Sequence, residues 1–511
     1  MLKKPFYPFL FSLFPVFSLF SHNADEIPLI GLIIPVLSAL LLSIVFFFAA
    51  KLLAKENHKA GLISFSTLVL FFSYRHLLDF LRIEAGWKNL GWPPFFAVTI
   101  FIIVLLSFGV SRLKNPSFNI TKILNFAVII LVIMPVYSGS AYRIKSGMLS
   151  RKLQTAIETP DVKAIRAVPG QKPDIYYLIF DRYAGKETLK SIYGFDNSAF
   201  YAFLRQKGFY LAQKSFANYP KTAHSLLSSL NMKYINDMSL VAGENSSNWR
   251  AIFDQLQDYR LWRYLKARGY KFIHIGSWWT PTSGNKYADI NINFRISEFT
   301  MFFIGNSMAY PLLRLTGIFS IRESHRKRAL YQMEKLKAIP EISGPVFAFA
   351  HILLPHPPFV FNRDGSFLGG KYLYRRSNEE NYINQLVYTN TLIKDLIDTI
   401  MNKSRIPPII VLQADEGPFP VRYREQEETF DWRTAEKSEL KTKSLILNAY
   451  YLPGFDTTCL YSDISPVNSW RLILNHYFNE NFEKLPDECW MIQDESHPYK
   501  FLNITNLINS D

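Results

Sequence analysis

Long apolar runs crowd the first ~140 positions and then stop, so hydrophobic patterning alone divides the chain. Pro5 to Phe20, Ile27 to Ala50, His58 to Tyr74, Trp92 to Val110 and Ile120 to Tyr137 are nearly free of charge and are read as five membrane spans, the first of them short. The opening Met1-Leu-Lys-Lys4 followed by an apolar segment has the outline of a signal peptide, but Ser-His-Asn-Ala-Asp after it offers no small-x-small cleavage pattern, and further spans follow. Lys3 and Lys4, then Lys51, Lys55 and Lys59, then Arg112, Lys114 and Lys122 fall on one side of these spans. The Ser21-to-Glu26 loop on the other side carries only acids. The positive-inside rule therefore places the N-terminus in the cytoplasm, and an odd number of spans exports everything after Tyr142.

Beyond the spans the period changes. Ala141 to Thr159 reads as a polar helical stem ended by Pro160, and Val168 to Pro173 is a boundary by its prolines and glycine. The expected organisation is a transmembrane domain over 1–141, a stem over 142–171 and an extracytoplasmic domain over 172–511. In the last of these, strand candidates at Ile175 to Phe180, Lys271 to Ile275, Val346 to Ala350, Ile409 to Leu412 and Leu445 to Leu452 alternate with helical stretches. Trp249 to Arg268, Arg328 to Ala338 and Glu379 to Asn402 are the clearest of these. Such alternation predicts an α/β domain with a mostly parallel sheet sandwiched by helices.

Composition fits this division. A chain of 511 residues is too long for one core, and a mean hydropathy near zero with 16% aromatic residues is unusual for a wholly soluble protein. The net charge of +15 is not gathered into a basic cluster with interleaved aromatics, which argues against nucleic acid. Part of it sets topology, and the rest suits anionic lipid head groups. Two cysteines, Cys459 and Cys489, would be free to form one disulfide if their region is extracytoplasmic.

The chemistry gathers at strand ends. Pro173-Asp174-Ile-Tyr-Tyr-Leu-Ile-Phe-Asp181 is a buried strand delivering a carboxylate to its C-terminal edge, where open α/β sheets keep their ligands. Asn218-Tyr-Pro-Lys-Thr222 sets a hydroxyl at the start of a helical Ala-to-Met run, and helix N-termini favour anions. Phe347-Ala-Phe-Ala-His351-Ile-Leu-Leu-Pro-His356 places one histidine at a strand terminus and another in a proline-stiffened loop. Pro407-Pro-Ile-Ile-Val-Leu-Gln-Ala-Asp415-Glu416-Gly-Pro418 brings adjacent carboxylates to a third strand end. With parallel strands, Asp181, His351 and Asp415 reach one edge. A carboxylate on a strand end with a hydroxyl on a helix start suits metal-assisted attack on a phosphorus or sulfur ester. Trp278-Trp279, after the Lys271-to-Ile275 strand, is a candidate lining for an acceptor or head-group pocket, with core packing as the alternative.

Taken with the span count, these motifs resemble the alkaline phosphatase/sulfatase-like superfamily over nearly the whole chain. The resemblance is to its membrane-anchored phosphotransferases, the phosphoethanolamine transferases and lipoteichoic acid synthases, and to uncharacterised members sharing the Tyr-Tyr-x-x-x-Asp and Asn-Tyr-x-x-Thr-x-x-Ser-Leu stretches. It implies that Asp181, Asp415, Glu416 and Thr222 bind a metal, that Thr222 is the nucleophile, and that His356 orients or protonates the departing or incoming oxygen. His351 and His356, with Trp278 and Trp279, would face the substrate. Asp415-Glu416 stands where the family usually has Asp-His, which implies one divalent ion, Mn²⁺ or Mg²⁺ in preference to Zn²⁺. The expected reaction is transfer of a phosphorylated alcohol from a membrane lipid donor to a surface glycan or lipid, at a bacterial inner membrane with the catalytic domain outside. Hydrolysis with water as acceptor and a catalytically silent envelope-binding domain are the alternatives. No Cys/Ser-x-Pro-x-Arg motif surrounds Thr222, which disfavours sulfate ester hydrolysis.

Overall fold

The computed structural model describes residues 3–113, 118–157, 172–294, 296–316, 320–373, 375–427 and 429–509. The chain falls into two units, Met1–Lys145 with Arg295–Ser324, and Ser146–Phe294 with His325–Asp511. The expected ends of the stem, at Pro160 and at Val168 to Gly170, lie outside the described residues.

Among the described residues four helices, Leu29–Ala54, Asn57–Ile83, Trp92–Arg112 and Asn119–Thr155, are long and apolar enough to cross a membrane. Leu41, Phe101, Ile123 and Met134 stand exposed on them, as side chains facing lipid would. The Pro5-to-Phe20 run forms two shorter helices, Tyr7–Phe11 and Phe14–His22, with Pro15 in the first turn of the second. An odd span count, on which export of the C-terminal domain rests, needs this short pair to cross as well. The last apolar run and the polar stretch after it are one helix, Phe118–Ile157. The Arg295–Ser324 segment, expected within the C-terminal domain, belongs to the first unit: Phe299 and Met308 are buried in its core, and the Met308 N–H donates to the Phe71 carbonyl at 2.8 Å.

The second unit is built on a seven-stranded sheet in the order β2-β7-β6-β1-β5-β3-β4. Its strands are β1 Ile175–Phe180, β2 Tyr210–Leu211, β3 Lys271–Ile275, β4 Ile290–Ile292, β5 Val346–Ile352, β6 Ile409–Gln413 and β7 Asn448–Tyr451. The contiguous strands β6, β1, β5, β3 and β4 are parallel, while β7 pairs antiparallel with β6 and β2 antiparallel with β7. A further hairpin joins β8 Trp490–Ile492 to β9 Phe501–Asn503. Both faces of the main sheet are covered. Tyr176, Leu178 and Phe180 of β1 pack into one apolar layer with Leu386, Ile393 and Leu396 of the Asn378–Lys403 helix. Ile175, Tyr177 and Ile179 pack into the other, with Leu226 and Leu230 of the Thr222–Asn231 helix and with Trp470. This two-sided burial is why the central strands read as unbroken apolar runs. Each such Leu or Phe contributes ~1.5–3 kcal/mol by leaving water. The Trp249-to-Arg268 pattern is two helices, Trp249–Gln255 and Arg260–Ala267.

Candidate active site

The parallel register puts three chemical groups at one edge. On β5, His351 pairs with Ile179, and Ile179 pairs with Gln413 on β6. Asp181 and Asp415 each lie two residues beyond that level, so the central strand and its two neighbours deliver one group apiece. Asp181, His351 and Asp415 each offer an atom within 4.8 Å of the others, and all three are buried. His351 Nε2 is 3.5 Å from Asp181 Oδ2 and 3.9 Å from Asp415 Oδ2. Asp181 Oδ1, His351 Nε2 and both Asp415 oxygens are buried without a hydrogen-bond partner. Buried polar atoms left in that state cost ~1–3 kcal/mol each, so their convergence fits a cation.

The surroundings hold these groups in place. The Asp181 N–H donates to the Ile352 carbonyl at 2.9 Å. His351 Nδ1 lies 2.8 Å from Thr282 Oγ1, itself 2.8 Å from Ser277 Oγ, and Gln332 Nε2 donates to the His351 carbonyl. A ring whose Nδ1–H is spent on Thr282 presents the Nε2 lone pair to the cluster, the usual second contact of a metal-binding histidine. His356 reaches in from its loop, with Nε2 3.9 Å from Asp181 Oδ2 and Nδ1 against the Pro357 carbonyl. Trp278 meets the His356 ring edge-on at 5.7 Å and Trp279 meets His351 at 6.0 Å.

The charges are uneven. Burial raises the Asp181 carboxyl, but His356, His351 and Arg182 beside it outweigh this and hold it below the carboxylate range. Asp415 is pushed well up by burial and then by the charges of Asp181 and Glu416, against the opposing Thr222 hydroxyl. Burial and then the Arg182 charge lower the His356 imidazole to about 3, so it stands neutral. Thr222 is half-buried and begins the Thr222–Asn231 helix after the extended Lys221.

Two residues differ from the sequence expectation. His351, expected on the substrate side, lies inside the cluster. Glu416, expected as a ligand, is turned to two cations: its Oε1 takes Lys443 Nζ at 2.6 Å and Arg182 Nε at 3.0 Å. A buried carboxylate beside two cations is drawn to them because each pairing relieves the burial cost of both charges. The groups that meet within 4.8 Å among the described residues are two carboxylates and an imidazole, while Glu416 keeps its Oε2 buried without a hydrogen-bond partner. The cysteines do not pair either: Cys459 is exposed, while Cys489 is buried and donates to the Ala217 carbonyl.

Residues 191–441 match the family model described as Sulfatase, a stretch that contains Thr222, His351, His356, Asp415 and Glu416 and begins after Asp181. The chain carries a sulfatase-family domain. Among solved structures it is similar to the integral membrane lipooligosaccharide phosphoethanolamine transferase A of Neisseria meningitidis, at 11% identity over 92% of this chain and 95% of that one, with a TM-score of 0.40. It is similar also to the Zn complex of the periplasmic domain of EptC from Escherichia coli, at 14% identity over 68% and 96%, TM-score 0.45. A third is the lipoteichoic acid synthase LtaP of Listeria monocytogenes, at 12% identity over 69% and 82%, TM-score 0.39. No curated protein matches the sequence.

Three cations that no sequence motif singles out lie near the cluster. Arg182 follows Asp181 directly and was open to notice as a charge on a buried strand end. Lys443, fully buried, sits in the polar Lys437–Ser444 helix, where no sequence pattern distinguishes it from the other lysines, Lys437 and Lys441. Lys221, just before Thr222, bridges to Glu495 at 2.5 Å and to the Tyr423 hydroxyl at 3.0 Å.

Proposed function

We propose that this membrane protein is a divalent-metal-dependent transferase that moves a phosphorylated alcohol from a lipid donor to a cell-envelope glycan or lipid through a threonine-linked intermediate. The observation that carries the reading is the meeting of Asp181, His351 and Asp415 at one sheet edge with their buried polar atoms unpartnered. These three residues would hold the ion, with the Thr222 hydroxyl beside Asp415. An imidazole and two carboxylates suit Mn²⁺ or Zn²⁺ better than Mg²⁺, which moves the preference away from the one implied by Glu416 as a ligand. When bound, the ion supplies Lewis acidity that favours an ionised threonine and draws charge from the phosphoryl oxygens.

The chain's own residues then divide the work. Thr222 Oγ1 forms a bond to phosphorus as the bond from phosphorus to the donor's lipid oxygen breaks, and the proton lost by Thr222 balances the one gained by the departing alcohol. His356 orients the incoming hydroxyl, whose proton passes to Thr222 Oγ1 as that oxygen replaces it on phosphorus. Trp278 and Trp279 stand against both histidines and would shape the acceptor side.

Full-length protein in detergent, supplied with Mn²⁺ or Zn²⁺ and a fluorescent phosphatidylethanolamine or phosphatidylglycerol, is expected to release diacylglycerol. Thr222→Ala is expected to abolish that release, and mass spectrometry of the quenched wild type to find the phosphorylated head group on the peptide holding Thr222. Release that continues without any acceptor alcohol would assign the protein to hydrolysis. No release from either lipid with either ion, or equal release by Thr222→Ala, refutes the transferase reading.

A further inference from the structure

Asp181 is followed by a residue whose backbone is out of the ordinary. Arg182 has φ 60°, the left-handed region that a side chain other than glycine or asparagine enters at a cost of ~1–3 kcal/mol. It occupies the third position of a β-turn closed by the Tyr183 N–H on the Phe180 carbonyl at 3.3 Å, where glycine is the usual occupant. The turn is pinned from outside: the Tyr382 hydroxyl donates to the Arg182 carbonyl at 2.7 Å and accepts from the Ala184 N–H at 3.1 Å. Strain that neighbouring groups hold in place beside a reactive cluster points to a side chain being aimed.

The guanidinium is fixed on two sides. Its Nε donates to Glu416 Oε1 at 3.0 Å, and its plane lies over the Phe419 ring with the central carbon 3.3 Å from the ring centroid. Among the described residues, nothing engages Nη1 or Nη2. The side chain keeps 12% of its surface exposed, whereas Lys443, sharing the same carboxylate, is completely enclosed. Of the two cations that share Glu416, Arg182 is the one with surface left exposed. The fork sits next to the cluster, with Nε 3.9 Å from Asp181 Oδ1.

We propose that Arg182 is a substrate-binding residue whose two free Nη groups grip the phosphoryl oxygens of the group being transferred, and that Glu416, through Oε1, holds that fork in place together with Phe419. A planar guanidinium preset by one carboxylate and one ring matches two oxygens of a tetrahedral anion in a bidentate contact. The inference rests on the phosphotransferase reading above, and the test separates the two.

Inorganic phosphate is titrated by calorimetry into the full-length protein in detergent with saturating Mn²⁺, and Mn²⁺ is titrated separately. Arg182→Asn, chosen because asparagine tolerates the left-handed turn, is expected to weaken phosphate by about 10- to 100-fold, the range of a charge-assisted pair. It should leave the Mn²⁺ affinity within about threefold. In the wild type, modification of Arg182 by phenylglyoxal, mapped by mass spectrometry, is expected to slow when phosphate and Mn²⁺ are present; this arm needs no variant to fold. Unchanged phosphate affinity in Arg182→Asn, a parallel loss of Mn²⁺, or modification unaffected by phosphate overturns the assignment while leaving the transferase reading intact. A wild type that binds no phosphate with Mn²⁺ overturns both.

Discussion

Thr282→Val tests the cluster through a residue that does not belong to it. The two side chains have nearly the same shape, so the substitution removes one hydroxyl and little packing. In the protein that hydroxyl lies 2.8 Å from His351 Nδ1, on a ring that is fully buried and whose Nε2 has no other protein partner. In the tautomer that donates Nδ1–H to this hydroxyl, its removal leaves the donor unpartnered, which costs ~1–3 kcal/mol, and the ring no longer gains by keeping its proton away from Nε2. Ser277 keeps its contacts with the Trp279 backbone, and His274 still meets the Thr282 carbonyl, so the loss falls on His351. Removing such a supporting partner weakens metal binding by about 10- to 100-fold, or ~1.4–2.8 kcal/mol. Calorimetric titration of Mn²⁺ and of Zn²⁺ into full-length wild type, Thr282→Val and His351→Ala measures this directly. The expected order of affinity is wild type, then Thr282→Val, then His351→Ala. A His351→Ala protein that binds both ions as tightly as wild type would remove His351 from the donor set and the reasoning with it.

Three further outcomes are expected. A Cβ at Gly417 would fall 2.2 Å from the Thr442 carbonyl oxygen and 3.0 Å from that of Lys443; Gly417→Ala should therefore push the Asp415-Glu416 turn off its support and cost at least ~1–3 kcal/mol in thermal unfolding, and an unchanged melting temperature would contradict the close approach. Burial lowers the His274 imidazole from 6.5 to about 4; as pH falls from about 6.5 to about 4 the unfolded chain takes up a proton that the folded one refuses, so stability drops by roughly 3 kcal/mol across that window, and denaturant titrations of His274→Phe should lack this component. Cys459 is exposed and Cys489 buried, so a membrane-impermeant maleimide added to intact spheroplasts should label the chain once and Cys459→Ser not at all; absence of labelling until the cells are lysed would place the α/β unit in the cytoplasm.

Much of this protein was legible along the chain because its signals are local. An uncharged run long enough to cross a bilayer declares itself residue by residue, and so does a strand buried on both faces, which is why Ile175 to Phe180 and Ile409 to Gln413 stand out. Parallel order then requires Asp181 and Asp415 to share an edge, since each follows its strand. Pairing decided what lies between them. His351 enters the cluster because β5 lies beside β1 with His351 level with Ile179, a neighbour relation between residues more than a hundred positions apart. Asp415 and Glu416 lie in the bend that follows β6, where strand alternation no longer tells which way each side chain turns. That Glu416 Oε1 meets Lys443 and Arg182 depended on the fold, and Lys443 comes from a helix with no distinguishing pattern of its own. The Arg295–Ser324 segment is the same kind of case. Its Phe299 and Met308 are ordinary apolar residues in or beside short helices, and only their burial in the core of the helical unit assigns them to it. Periodicity records which face of an element is buried; it does not record against what, because that depends on partners brought close by the fold.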